Sequence, residues 1–104
     1  MTTGKTKRFD WDRHNVGHIA KHGIRPEEVE QVLLNGPRFV RKEWHEESGE
    51  ERTLEMGHTE NCRVLFVVWT MRESLRPVTA WDASSLDRAD YYEEKGWQSG
   101  EEND

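Results

Sequence analysis

The sequence predicts an α+β domain, an antiparallel β-sheet with helices packed on it, and three observations carry that prediction. Apolar residues recur at helical spacing from residue 15 to residue 34. From residue 38 to residue 81 they fall instead into four strand-like runs separated by short turns, and Ser84 to Asp87 then reads as the cap of a last helix. Strands joined by turns this short pair antiparallel, because a parallel pair needs a crossover of a dozen residues or more. The predicted order is β-α-α-β-β-β-β-α. A chain of 104 residues is long enough for one such domain and too short for two cores.

Residues 1–8 are polar and aperiodic and read as a flexible lead-in. Phe9-Asp10-Trp11 alternates as a short half-buried strand does. Asn15 to His22 reads as a short helix, with Val16, Ile19 and Ala20 at helical spacing and Gly23 as its stop. Pro26 suits the first turn of a second helix, Glu27 and Glu28 complement its positive end, and Val29, Val32 and Leu33 make its buried face. Asn35-Gly36-Pro37 ends it. Strands are expected over 38–44, 52–57, 63–71 and 75–81. The third is the most apolar and so central, and Pro77 gives the fourth an edge position or a bulge. Ser84 to Asp87 caps a last helix that runs to about Lys95, before Gly96. The single domain therefore spans residues 9–95, with 96–104 an acidic tail in which Trp97 is the apolar exception.

Hydrophobic residues make up 33% of the chain and charged residues 35%, and the mean hydropathy is −1.06. Five Trp, three Phe and two Tyr supply large buried areas that a thin core needs. No stretch approaches the ~20 apolar residues of a membrane span, and the first residues lack the apolar segment of a secretory leader, so a cytoplasmic protein is expected. The single cysteine, Cys62, excludes an intrachain disulfide or a cysteine-rich zinc site, and no base stands beside it to activate it. The net charge is −6, of which −4 falls between Glu93 and Asp104. An acidic total thus leaves room for a local basic cleft.

His14, His18 and His22 stand four apart, the spacing at which two imidazoles grip a metal or at which a solvated stripe runs down a helix. Arg52, Arg72, Arg76 and Arg88 lie on or just beyond predicted strands and the last helix. Either they converge as a phosphate-binding set, or each pairs with a neighbouring acid among Glu51, Glu73, Asp82 and Asp87. Trp81 and Tyr92 are aromatic groups able to stack on an unpaired base or to pack in a core. Of Tyr91 and Tyr92, on different sides of the last helix, one is expected to be buried. No glycine-rich phosphate loop, Ser-His-Asp set or HExxH pattern is present.

Several segments, in order, resemble the BrnT-like toxins. They are Phe9-x-Trp11-Asp12, then His18-Ile19-Ala20-Lys21-His22-Gly23-Ile24, then Pro26-Glu27-Glu28-Val29-Glu30. The later ones are Glu51-Arg52 leading into Met56-Gly57, Arg63 through Thr70-x-Arg72, Arg76-Pro77-Val78-Thr79-Ala80, and Asp87-Arg88-x-x-x-Tyr92. The resemblance implies a RelE-like fold and a toxin of a type II toxin–antitoxin pair that cleaves RNA, an mRNA by expectation, with no cofactor or metal. It also implies an antitoxin protein encoded nearby, no membrane, and homo- or hetero-oligomers. Carried over by position, His22, Arg52, Arg72, Arg76 and Arg88 are the candidate catalytic residues, and Lys21, Trp81 and Tyr92 the candidate substrate-binding ones. Arginines would stabilise the phosphate as the ribose 2′-OH attacks it, and His22 would transfer a proton, histidine being the side chain that does so near neutral pH.

The chain also departs from that family. Trp81-Asp82 stands where many relatives carry an arginine after the last strand's alanine, and the segment Arg13 to Gly17 lacks the usual lysine. Two other readings therefore accompany the nuclease: an inactive binding module on the same fold, favoured if Asp82 neutralises Arg72 or Arg76, and a metal-binding protein using the three histidines.

Overall fold

A computed structural model describes residues 9–97; residues 1–8 and the acidic tail beyond Trp97, both singled out in the sequence, lie outside the described residues. The elements are α1 (Arg13–Ala20), α2 (Pro26–Leu34), β1 (Arg38–His45), β2 (Glu50–His58), β3 (Val64–Met71), β4 (Leu75–Asp82) and α3 (Ser85–Lys95). The four strands form one antiparallel sheet in chain order, β1-β2-β3-β4. The α+β class and the strand meander are those the sequence predicts. The expected strand at Phe9-Asp10-Trp11 is corrected: it shrinks to one parallel bridge, Phe9 with Leu75, beside an Asp10 N–H donating to the Leu75 carbonyl at 2.8 Å. The reason is local, because Asp12 already starts α1 and leaves no length for a strand.

That start is a reciprocal cap. The Asp12 carboxylate accepts from the backbone N–H groups of His14 and Asn15, and the Asn15 side-chain oxygen accepts from the Asp12 N–H at 2.8 Å. The helix therefore begins two residues earlier than its apolar spacing indicates and ends at Ala20. At the other end of the chain, Gly96 takes a left-handed conformation (φ 78°) that closes α3, as a glycine C-cap does.

The two faces of the sheet carry different helices. Leu65, Val67 and Ala80 face α1 and α2, and pack with Ile19, Ile24, Val29, Val32 and Leu33. Met56 and Val64 point the other way and pack with Ala83 and Tyr91 beneath α3. Tyr91 is fully buried and Tyr92 half-buried, so the expected split falls that way round. The Tyr91 hydroxyl lies 2.8 Å from His58 Nδ1, and the Trp97 ring meets His58 edge-on at 4.7 Å. Burial, with Lys95 adding to it, lowers the His58 pKa and so keeps the imidazole neutral; burial also raises that of Tyr91. Trp97 is thus part of the packed domain. Among the described residues no helix is long and apolar enough to cross a membrane.

Gly57 of β2 lies tight against α2. A Cβ built there meets Val32 Cγ1 at 3.0 Å, Pro37 Cβ at 3.2 Å and the Val32 carbonyl at 3.3 Å. Two of those neighbours are rigid, so Gly57→Ala is expected to cost about 1–3 kcal/mol, the usual cost of overpacking. Chemical denaturation of the two proteins checks this; equal midpoints would show that α2 yields without cost.

Candidate functional site

The meander brings the ends of three strands together. Arg52 is the third residue of β2, Arg72 follows β3, and Arg76 is the second residue of β4. These three guanidiniums line one cleft of about 290 Å³, whose other wall is α1, through His14, Asn15 and His18, with Pro77 and Val78 on β4. The register between β3 and β4 shifts after Val68, which pairs with Thr79 while Trp69 pairs with Pro77, leaving Val78 as the extra residue. The bulge that Pro77 foretold therefore shapes the cleft wall.

The arginines are held by acids other than those the sequence offered. Glu50 accepts from Arg52 Nε at 2.9 Å and from Arg72 Nη2 at 3.2 Å. Asp12 and Asp10 hold Arg76 at 3.1 and 3.5 Å. Because Glu50 takes Arg52 by its Nε, the outer Nη1 and Nη2 edge keeps no acidic partner among the described residues. That edge is the fork that binds a phosphate bidentately. Arg72 is half exposed and bound by one nitrogen, while Arg76 is largely buried, 12% exposed, and ties β4 to the cap of α1.

Burial pushes the Glu50 carboxyl up, but the Arg52 and Arg72 guanidiniums outweigh it, and the group stays below its ordinary 4.5. Arg76, with the backbone N–H of Asn15, likewise lowers Asp12. A depressed carboxylate pKa means stability that is complete above the unfolded value and lost as pH falls through the folded one. Glu50→Gln is therefore expected to melt lower than the parent at neutral pH. The gap should close as acid protonates Glu50 in the parent, and a gap independent of pH would exclude the charge as its cause.

The remaining predicted residues gather elsewhere. Asp82 lies six residues beyond Arg76, roughly 20 Å along an extended strand, and does not neutralise Arg72 or Arg76. It pairs instead with Arg63, which donates from Nε at 2.8 Å and from Nη2 at 2.9 Å. Arg63 also reaches Glu28 and the Gly23 carbonyl, which lock the start of α2 to the sheet. Arg63 lowers the Asp82 pKa most, and Arg88 and His22 add to this; neither of those two is among the residues lining the cleft. His22 and Lys21 are exposed past the end of α1 and are not among the residues lining the cleft. Trp81 is half-buried and stacks on Phe66 of β3, while Tyr92 packs against Trp97. The His18 and His22 rings are 6.3 Å apart, and among the described residues no three His, Cys, Asp or Glu gather as metal ligands.

The sequence places Glu50 in the hairpin between the first two long strands, and reads His14, His18 and His22 as either a metal-gripping set or a solvated stripe. The pattern Glu50-x-Arg52 was the available signal, since strand residues two apart share a face. For the histidines nothing in the sequence tells which side of β4 α1 will occupy.

A sequence model described as "Ribonuclease toxin, BrnT, of type II toxin-antitoxin system" matches residues 11–87, a span that includes every residue lining the cleft. A comparison with curated proteins gives no match.

Proposed function

The chain belongs to the BrnT family of ribonuclease toxins of type II toxin–antitoxin systems, and from that premise we propose that the cleft between the sheet and α1 binds the RNA backbone and cuts it. The observation that carries this reading is the convergence of Arg52, Arg72 and Arg76 opposite two imidazoles in one cleft. The ribose 2′-OH attacks the adjacent phosphorus, the bond to the 5′ oxygen breaks, and the products are a 2′,3′-cyclic phosphate and a 5′-hydroxyl. Arg52 and Arg72 stabilise the charge that grows on the non-bridging oxygens, and Arg76 holds β4 against α1. His14 and His18, on the facing wall, take the 2′-OH proton and return one to the leaving oxygen. No metal enters this scheme. The sheet with its flanking helices supports a RelE-like reading of the fold. The protein acts in the cytoplasm on RNA and is silenced there by a cognate antitoxin encoded nearby.

The pairing of all three arginines with Glu50, Asp10 and Asp12 favours a second reading, a binding module that holds RNA without cutting it. One experiment separates the two: purified protein with single-stranded RNA in chelator, followed for cleavage and, at a non-cleavable 2′-O-methyl analogue, for affinity against salt. Cyclic-phosphate ends are expected. Three phosphate contacts predict a slope of about −2 in log affinity against log salt. Bound but intact RNA would establish the module, and a flat salt response would remove phosphate recognition from both readings.

A further inference from the structure

Two of the cleft arginines, Arg52 and Arg76, begin a row that runs along the α3 face of the sheet, and the far end of that row is aromatic. In β3, Phe66, Val68 and Thr70 alternate onto one face, and their partners across the ladder are Trp81, Thr79 and Arg76 of β4. On β2, Met56 and Leu54 pair with Phe66 and Val68, and Arg52, two residues on, continues the same row. One face thus carries guanidiniums at one end and the Phe66–Trp81 pair at the other, roughly 17 Å apart along five strand residues.

Two features of the aromatic end are unlike a core. The Phe66 and Trp81 rings are stacked at 5.6 Å and 26°, yet Trp81 is half-exposed and, unlike Phe66, packs against neither buried cluster. Arg88 stands near the start of α3, which covers this face and follows Trp81 closely in the chain, and shares a side of that helix with Tyr91 three residues later. Arg88 is half-buried, and among the described residues no carboxylate pairs with it, whereas Arg52, Arg63, Arg72 and Arg76 are all paired. A stacked aromatic edge and an unpaired guanidinium on the same face of the sheet suit a nucleotide: the base lies on the ring and its phosphate meets the cation.

Resting on the nuclease reading above, we propose that Trp81, supported by Phe66, and Arg88 form a second subsite that takes one unpaired base and its phosphate from the RNA strand lying in the arginine cleft. The span between the two sites exceeds a single nucleotide, so the base read at Trp81 is not the one beside the cut. Specificity for the RNA then comes from stacking at this distance, while the cleft itself contacts only backbone.

The test is an abasic scan on the intact protein. A 2′-O-methyl oligoribonucleotide is prepared as a set with one base removed at a time, and binding is followed by fluorescence anisotropy. One position, displaced from the scissile phosphate, is expected to lose affinity by about tenfold, within the range that base–aromatic stacking gives. In Trp81→Leu that loss should disappear, in Trp81→Phe it should persist, and Arg88→Ala should weaken every member of the set alike. A flat scan on the wild-type protein with salt-sensitive binding overturns the subsite and leaves the cleft. No binding at low salt overturns both. The wild-type scan needs no substitution, so a Trp81 variant that fails to fold does not shield the proposal.

Discussion

Arg52→Ala is expected to abolish growth arrest when the protein is induced in a bacterial host and to preserve total RNA, with the purified variant slowed by about 10²–10³-fold, the loss typical when one transition-state donor is removed. The geometry makes Arg52 the most consequential of the three cleft arginines. Its Nε is fixed by Glu50 at 2.9 Å while its outer edge keeps no acidic partner among the described residues. The side chain is therefore pre-oriented and still able to take a phosphate. Glu50 retains Arg72 after the substitution, so the melting temperature should move by only a few degrees. Arrest that survives in the folded variant would remove Arg52 from the site. Collapse of the fold would make it structural instead. Arg76→Ala behaves differently, because Arg76 is largely buried against Asp10 and Asp12, and should lose stability together with activity.

Asn15→Ala is expected to be the most destabilising change near the cleft. Asn15 is 2% exposed, and its amide donates to the Pro77 carbonyl at 2.8 Å and the Asp10 carbonyl at 3.0 Å. Its oxygen accepts from the Asp12 N–H at 2.8 Å. Alanine leaves two carbonyls and one N–H without that partner, and a buried polar group left unpaired costs about 1–3 kcal/mol. A total near 3 kcal/mol would lower the melting temperature by about 15 °C in a domain of this size. The same substitution unties α1 from β4, and with it His14 and His18 from Arg76, so RNA cleavage should fall further than Arg76→Ala alone explains. A shift of only one or two degrees would show that water replaces Asn15 and that α1 is held by Ile19 and the core.

The periods of the apolar residues were enough for the architecture. Helical spacing placed α2, the Ser84 cap and Gly96 placed α3, strand-like runs between short turns placed β1 to β4, and the segment from Val64 to Met71 was apolar enough to mark the strand covered on both faces. Pro77 announced its bulge. The boundaries that moved were set by side-chain hydrogen bonds rather than by periodicity, as where the Asp12–Asn15 cap started α1 early and reduced the expected first strand to a bridge.

Strand ends of a meander come close together, and so the sequence by itself offered Arg52, Arg72, Arg76 and Arg88 either as a converging set or as separate ion pairs; the first three line one cleft and Arg88 is not among its lining residues. The sequence also carried the resemblance to a toxin family that the match over residues 11–87 shows. The partners of those arginines were decided only in three dimensions. An ion pair depends on which side of a strand each group faces and on where α1 docks, so Glu50, Asp10 and Asp12 hold these arginines in place of the neighbours Glu51, Glu73, Asp82 and Asp87. The same docking put His14 and His18 at the cleft and left His22 out of it. Short-range pattern fixes what each segment is, and long-range packing fixes which charges meet.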